Sequence, residues 1–390
     1  MHETTSDQNP AAPTWLEVPQ DFATLDTALW PQGTHRDSTG HLTIAGHQVE
    51  SLIKEFGSPL YVIDEADFRS RARQFADHFP GWEVHYAGKS FLCRTVVRWI
   101  DQEGLSLDVC SGNELAVALS VGFPPERIGL HGNNKSIQEL SLAIESGVGS
   151  IIVDSFDEIV RIEDLAAQQH VTVRVLVRVT TGVEAHTHEY IATSHEDGKF
   201  GFSINSGQAL QALVDCDNSP HIHLGCIHSH IGSQIFDTEG FRVAAQRTMA
   251  LAAQFHDLTS HTIEEINLGG GFGIAYTSRD TPMNPVDLNR GLVRAIDDAR
   301  SQYNLAPVKL AIEPGRAICG PACVALYTVG TIKKVDIGEG RTRTYVAVDG
   351  GMSVTTPDLT DFRKALQPVY DYFYKAHPEF KVLVEKILAL

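Results

Sequence analysis

Between Gly81 and Arg316 the chain alternates short runs of apolar, β-branched residues with longer stretches whose apolar positions return at helical spacing. That alternation predicts parallel strands joined by helical crossovers. Eight runs read as strands: EVHYAGK (83–89), LSLDVCS (105–111), RIGLHG (127–132), SIIVDS (150–155), VRVLVRV (173–179), HLGCIHSHIGS (223–233), EINLGGG (265–271) and KLAIEPGR (309–316). Eight such units suggest a closed (β/α)8 barrel, with an open doubly wound sheet as the alternative. In VDLNRGLVRAIDDARSQYN, the residues Val286, Leu288, Leu292, Val293 and Ile296 keep mainly helical spacing, as a helix covering a barrel strand requires.

The flanks follow another rhythm. HLTIAGHQVESLIKEFG (41–57) carries an amphipathic stretch ahead of the strand-like PLYVID, while ACVALYTVGTIKKVD and TRTYVAVDGG are strand-like by β-branched content. The expected architecture is an α/β barrel at 58–317 with a smaller β-rich second domain built from both chain ends, residues 1–57 and 318–353. Phe380, Leu383, Val384, Ile387 and Leu388 repeat at helical spacing after Pro378, so 354–390 reads as a divergent helical tail. The opening MHETTSDQNPAAPTW is polar and acidic, a flexible leader without the charged and apolar design of a secretory signal.

Composition narrows the classes. A chain of 390 residues accommodates one barrel of about 250 residues and a second domain. No run approaches the roughly 20 consecutive apolar residues of a membrane span, so no membrane partner is expected. The net charge of −18 argues against nucleic acid, whose phosphates need concentrated Lys and Arg. Six cysteines without a CxxC pair indicate neither a zinc site nor a disulfide framework, and reduced thiols in the cytoplasm fit best.

Four constellations carry candidate chemistry, and the unusual residues (Lys89, Asp108, His230, Ser233, the glycine triplet and the Glu-Pro-Gly-Arg) all fall at or near strand C-termini, where barrel enzymes keep their sites. YAGKSF places Lys89 at a strand end, where partial burial favours a neutral amine able to form a Schiff base, although such a lysine is more often a surface charge. LGGGFG, with Gly269, Gly270, Gly271 and Gly273, exposes backbone N–H groups suited to phosphate, or serves as a plain connector. In IEPGR, Glu313 is suited to keep a pyridine nitrogen protonated, the alternative being a strand-end ion pair with Arg316. CIHSHIGSQ holds His228, His230, Ser233 and Gln234. Two histidines at i, i+2 share a strand face and could bind metal, but no third ligand has suitable local spacing. An aromatic ring lying on a flat cofactor near a hydroxyl explains His230 and Ser233 better, with His228 a core histidine.

Taken in order, YAGKSF, LDVCSGNEL, HGNNK, EAHTHEYIATSHEDGKFGFS, HSHIGSQIFD, NLGGGFGIAY, EPGRAICGP and VAVDGGMS resemble successive motifs of the actinobacterial diaminopimelate decarboxylases. These are pyridoxal-5′-phosphate (PLP) enzymes of the alanine-racemase-like barrel class, and the resemblance covers residues 40–353. It implies that Lys89 carries PLP, that His230 stacks on the ring and that Glu313 meets the pyridine nitrogen. It implies that Ser233, the Gly269, Gly270 and Gly271 turn and the backbone around Pro314, Gly315 and Arg316 hold the phosphate, with Arg316 also toward substrate. Asp108 matches an acid near the lysine. The reaction implied is decarboxylation of meso-2,6-diaminopimelate to L-lysine and CO2 by a head-to-tail homodimer whose sites are completed by the partner's C-terminal domain.

After DGGMS the sequence departs from the family pattern, which continues with an Arg and Tyr for substrate carboxylate and a Cys-Glu-Ser-Gly-Asp motif supplying a proton donor. Here VTTPDLTDFRKALQPVYDYFYKAHPEF follows, in which Arg363 and Tyr370 are at other spacings, and no Cys lies beyond Cys323. An incomplete second domain is the expectation. The alternative functions are a catalytically impaired PLP-binding homologue, a decarboxylase of ornithine or arginine, and a bare barrel that binds no PLP.

Overall fold

The computed structural model describes residues 24–183, 198–338 and 342–350. The leader, most of EAHTHEYIATSHEDGK, the end of the DGGMS motif, Arg363, Tyr370 and the helical tail lie outside the described residues.

The chain begins with three short strands, β1 (Thr34–Arg36), β2 (Leu42–Ile44) and β3 (His47–Gln48), then helix α1 (Val49–Phe56) and strand β4 (Leu60–Ile63). Helix α2 (Glu65–His78) starts where the Asp64 carboxylate accepts from the Asp67 N–H. The main series follows: β5 (Glu83–Ala87), α3 (Arg94–Gln102), β6 (Ser106–Val109), α4 (Gly112–Leu119), β7 (Ile128–Leu130), α5 (Ile137–Ser146), β8 (Ser150–Val153), α6 (Phe156–Gln169) and β9 (Val173–Thr180). It continues with β10 (Phe202–Ser203), α7 (Gln208–Asn218), β11 (Ile222–Ser229), α8 (Glu239–Thr259), β12 (Glu265–Asn267), α9 (Pro285–Gln302), β13 (Lys309–Ile312) and α10 (Arg316–Cys319).

β5, β6, β7, β8, β9, β11, β12 and β13 pair in parallel in that order, and β13 returns to β5. This closure decides for the barrel over the open sheet, and every run expected to be a strand supplies one. β6 and β8 are buried along their whole lengths, because helices cover one face and the barrel interior fills the other. Of the covering helices, α4, α5, α6 and α9 begin on side-chain caps, and Ser136 forms a reciprocal capping box with Glu139 at the start of α5.

The apolar stripe of α9 differs in part from its reading. Leu288, Leu292 and Ile296 are buried, but Val286 is exposed and Val293 only half-buried, and Ala295 and Ala299 complete the stripe instead. Small side chains on the inner face let a helix approach the layer beneath it closely.

Beyond the barrel, β14 (Cys323–Leu326) pairs with β4, and β15 (Val329–Asp336) pairs antiparallel with β16 (Thr342–Val348). Contacts among the described residues form two compact units, 24–56 with 61–183 and 198–325, and 57–60 with 326–338 and 342–350. The N-terminal strands, expected to begin the second domain, therefore pack with the barrel unit. Two carboxylates at the start of α2 hold them there: the Gly33 N–H donates to Asp64 and the Gln32 N–H to Asp67, each at 3.1 Å. In the second unit, the Ser58 hydroxyl and the Thr328 N–H both donate to Asp349. Among the described residues no helix is long and apolar enough to cross a membrane.

Candidate active site

The residues that follow the barrel strands enclose a cavity of about 410 Å³. Lys89, His230, Ser233, Gly270, Gly271, Glu313, Gly315 and Arg316 all line it, although the sequence scatters them over more than two hundred positions. Gly269, Pro314 and Asp108 are not among its lining.

β5 delivers Lys89. The strand ends at Ala87 and the chain turns through a short 3-10 helix, Gly88–Ser90. The Ser90 hydroxyl donates to the Ala87 carbonyl at 2.8 Å, and the Tyr86 hydroxyl donates to the Phe91 carbonyl at 2.8 Å, which fixes the turn from both sides. Lys89 is exposed, not partly buried as its strand-end position suggested, because the turn lifts it off the packed strand into the cavity.

β11 and β12 deliver the histidine and the glycines. The Gly270 N–H donates to His230 Nδ1 at 3.4 Å, which leaves Nε2 as the protonated nitrogen of a neutral ring. Burial and the nearby Lys89 and Arg178 cations hold His230 well below the ordinary imidazole range. Gln234 locks this loop to the glycine loop, donating to the Ile274 carbonyl and accepting from the Ile274 N–H, both at 3.0 Å. No side chain could replace two of the glycines: a Cβ on Gly270 would stand 2.1 Å from the Glu313 carbonyl oxygen. Gly271 has φ +101°, and a Cβ there would stand 2.2 Å from the Gly232 oxygen.

Glu313, at the end of β13, is 6% exposed. Its Oε1 lies 2.9 Å from His228 Nε2 and 3.4 Å from His131 Nε2, and it accepts from Asn267 Nδ2 at 2.9 Å. Burial alone would raise its pKa, but the facing His228 and His131 hold it well below the usual carboxylate range. The ion pair with Arg316 is not what occupies Glu313. Arg316 Nη1 donates instead to the Tyr276 hydroxyl at 3.0 Å. His228 is a core histidine, as read, and its partner is Glu313.

The Asp108 carboxylate faces two imidazoles, His85 Nδ1 at 3.0 Å and His131 Nε2 at 3.5 Å. His85, His131 and Asn267 are the residues that sequence reasoning missed. Their signal was a polar side chain in or beside an otherwise apolar strand run. His131 also supplies the third member of a group that local spacing could not reveal: His131, His228 and Glu313 bring ligand atoms within 4.8 Å of one another. Both imidazoles stand against the same carboxylate oxygen, at 2.9 and 3.4 Å, so the trio reads as an acid–base cluster.

Residues 65–320 match the family of pyridoxal-dependent decarboxylases through its pyridoxal binding domain. The chain is 50% identical over 330 residues to diaminopimelate decarboxylase of Mycobacterium bovis, covering 83% of this chain and 74% of that protein. It is 44% identical over 330 residues to the Bacillus subtilis diaminopimelate decarboxylase, with the same coverage of both chains. The solved diaminopimelate decarboxylase of M. jannaschii, in co-complex with L-lysine, matches with a TM-score of 0.75 at 28% identity over 83% of this chain and 74% of that one. With a lysine, an ionised glutamate and a glycine turn around one barrel-end cavity, and with relatives of this identity and coverage, the chain belongs to the diaminopimelate decarboxylase family of PLP-dependent decarboxylases.

Proposed function

We propose that this chain catalyses the PLP-dependent decarboxylation of meso-2,6-diaminopimelate to L-lysine and CO2, the last step of lysine biosynthesis. The observation that carries the reading is the meeting of Lys89, Glu313 and the Gly270–Gly271 turn on one cavity. The residues present fit the cofactor. Gly270 and Gly271 line the cavity with backbone that packs too closely on the Glu313 and Gly232 carbonyls for any Cβ, a glycine turn suited to phosphate, and a pyridine nitrogen needs a carboxylate held well below its usual pKa range.

In this reading Lys89 anchors PLP and Glu313 holds a proton on the pyridine nitrogen. The neutral His230 ring, oriented by the Gly270 N–H, would stack on the bound cofactor. Ser233, Gly269, Gly270 and Gly271 with Pro314, Gly315 and Arg316 hold the phosphate, Gly269 and Pro314 by shaping the backbone behind the cavity wall. Arg316 offers its guanidinium to a substrate carboxylate, steadied by Tyr276. Bound PLP supplies an electron-poor ring that takes up the electron pair left by the departing CO2. Asp108 acts one residue further from the cavity, through His131.

We further propose a homodimer in the cytoplasm. The six cysteines are all unpaired, as a reducing compartment leaves them. The PLP-binding domain, expected at 58–317, is proposed to run on to Ala325, with the second domain beginning at Leu326.

The test is incubation of purified protein with PLP and meso-diaminopimelate, following cofactor absorbance and L-lysine, with Lys89→Ala as control. Lysine formed only with Lys89 present supports the reading. Cofactor bound without lysine, or release of CO2 from ornithine or arginine in preference, replaces it.

A further inference from the structure

Five side chains run in single file through the barrel, alternating acid and base from its floor to its mouth. Glu83 Oε1 lies 3.3 Å from His85 Nε2, and His85 Nδ1 lies 3.0 Å from Asp108 Oδ1. His131 Nε2 then lies 3.5 Å from Asp108 Oδ2 and 3.4 Å from Glu313 Oε1. The file crosses from β5 through β6 to the residue after β7 and on to the residue after β13. At the floor, Glu83 and His85 line a second cavity of about 220 Å³, and at the mouth Glu313 lines the first.

We infer that this file holds Glu313 as a carboxylate, with His131 the positioning residue beside it and Asp108 and His85 acting through His131. The inference rests on the proposed role of Glu313 at the pyridine nitrogen.

Asp108 and Glu313 are 3% and 6% exposed, and two buried carboxylates this near each other would share a proton unless a cation stood between them. His131 occupies that place. The groups facing Glu313 are His228 from β11, Asn267 from β12, His131 from the β7 end and, at longer range, Asp108, Cys110, Arg178 on β9 and His230. Those facing His131 are Asp108, Glu313 and the edge of the His228 ring, 5.2 Å away between centroids.

The two histidines on Glu313 divide the work. Burial pushes His228 down and His131 pushes it further, so His228 stands 2.9 Å from Glu313 as a neutral ring. Burial acts on His131 too, but Glu313 and Asp108 outweigh it and raise its pKa. Acid and base then alternate along the file from Glu83 to a carboxylate at the mouth, Glu313, where a protonated ring nitrogen would sit.

The experiment is an imidazole NMR titration of histidine-labelled protein without PLP, from about pH 5.5 to 8.5. It is run on wild type, Asp108→Asn and Glu83→Gln, followed by PLP binding to each and to His131→Gln. His131 should be doubly protonated at pH 7 in the wild type. Asp108→Asn should move its midpoint down toward the ordinary value of about 6.5, and Glu83→Gln should move it the same way by less. Asp108→Asn and His131→Gln should weaken PLP by about tenfold or more, as loss of a charged hydrogen-bond partner does. A neutral His131 in the wild type at pH 7, or a midpoint indifferent to Asp108→Asn, overturns the inference. The wild-type titration decides even where a variant does not fold. Absence of lysine formation by the wild type would instead overturn the functional reading and leave the titration result standing.

Discussion

Asn267 Nδ2 donates to Glu313 Oε1 at 2.9 Å, while the Oδ1 of the same amide accepts from the Gly269 N–H at 2.8 Å. One side chain, 1% exposed, thus ties the carboxylate just after β13 to the first residue of the glycine turn after β12. Replacing it by Ala strands a buried N–H and removes a donor from a buried anion. Asn267→Ala should cost about 2–3 kcal/mol in denaturant unfolding and should weaken PLP binding as well. A variant with wild-type stability and PLP affinity would show that the amide has no such coupling role.

Gly270→Ala tests how closely the turn must approach its neighbour. The added Cβ would stand 2.1 Å from the backbone oxygen of Glu313, which is not free to swing aside as a flexible side chain would be. The loop must move, and with it the N–H that orients His230. A loss of about 2–4 kcal/mol in stability and of cofactor absorbance at PLP concentrations that saturate the wild type is expected. Retained absorbance with normal stability would refute this.

Lys135, in the HGNNK motif, makes a buried pair away from the cavity lining. Its Nζ lies 3.0 Å from each Glu158 oxygen and donates to the Gly132 and Ile152 carbonyls, with side-chain exposures of 2% for Lys135 and 4% for Glu158. Lys135→Met leaves Glu158 buried without its cation and should cost about 3–5 kcal/mol. The double variant Lys135→Met with Glu158→Leu should recover part of that loss, since it leaves no lone charge. Chemical denaturation of the three proteins measures the recovery, and equal losses in the single and double variants would argue against the pairing.

Glu83 gives the fold a pH signature. Its hydrogen bond to His85, together with His85 and Arg174 charge, outweighs burial and lowers its pKa from 4.5 to about 2. A depressed acid stabilises the folded state fully above its unfolded pKa, and that stabilisation fades as pH falls from about 4.5 toward 2. His85 behaves inversely: burial disfavours its charge, but Asp108 and Glu83 raise its pKa, so its contribution is present below about 6.5 and lost as pH rises through the folded value. Glu83→Gln should therefore melt lower than the wild type near pH 6, and the gap should close toward pH 2. Thermal melts across that range check it, and a gap independent of pH would remove Glu83 as its source.

Much of the fold was legible because barrel patterning is local. Each strand run is a few β-branched residues whose burial on both faces needs no knowledge of its neighbours, and all eight runs became barrel strands. The same holds for Lys89, Glu313 and the glycine turn, whose residue types are uncommon at strand ends. α9 was legible only in part, since alanines carry packing that a search for large apolar residues passes over.

Sequence by itself determined which strands exist, which residue types stand at their C-terminal ends, and which family the motifs resemble. Only the tertiary structure decided that the sheet closes, that the N-terminal strands pack with the barrel unit, and that Glu313 faces His228, His131 and Asn267 while Arg316 turns to Tyr276. The physical reason is distance along the chain. A buried charge takes its partners from other strands of the barrel, so His131 and Glu313, 182 positions apart in sequence, stand 3.4 Å apart in space. Strand pairing and barrel closure set that meeting, and no local spacing encodes it.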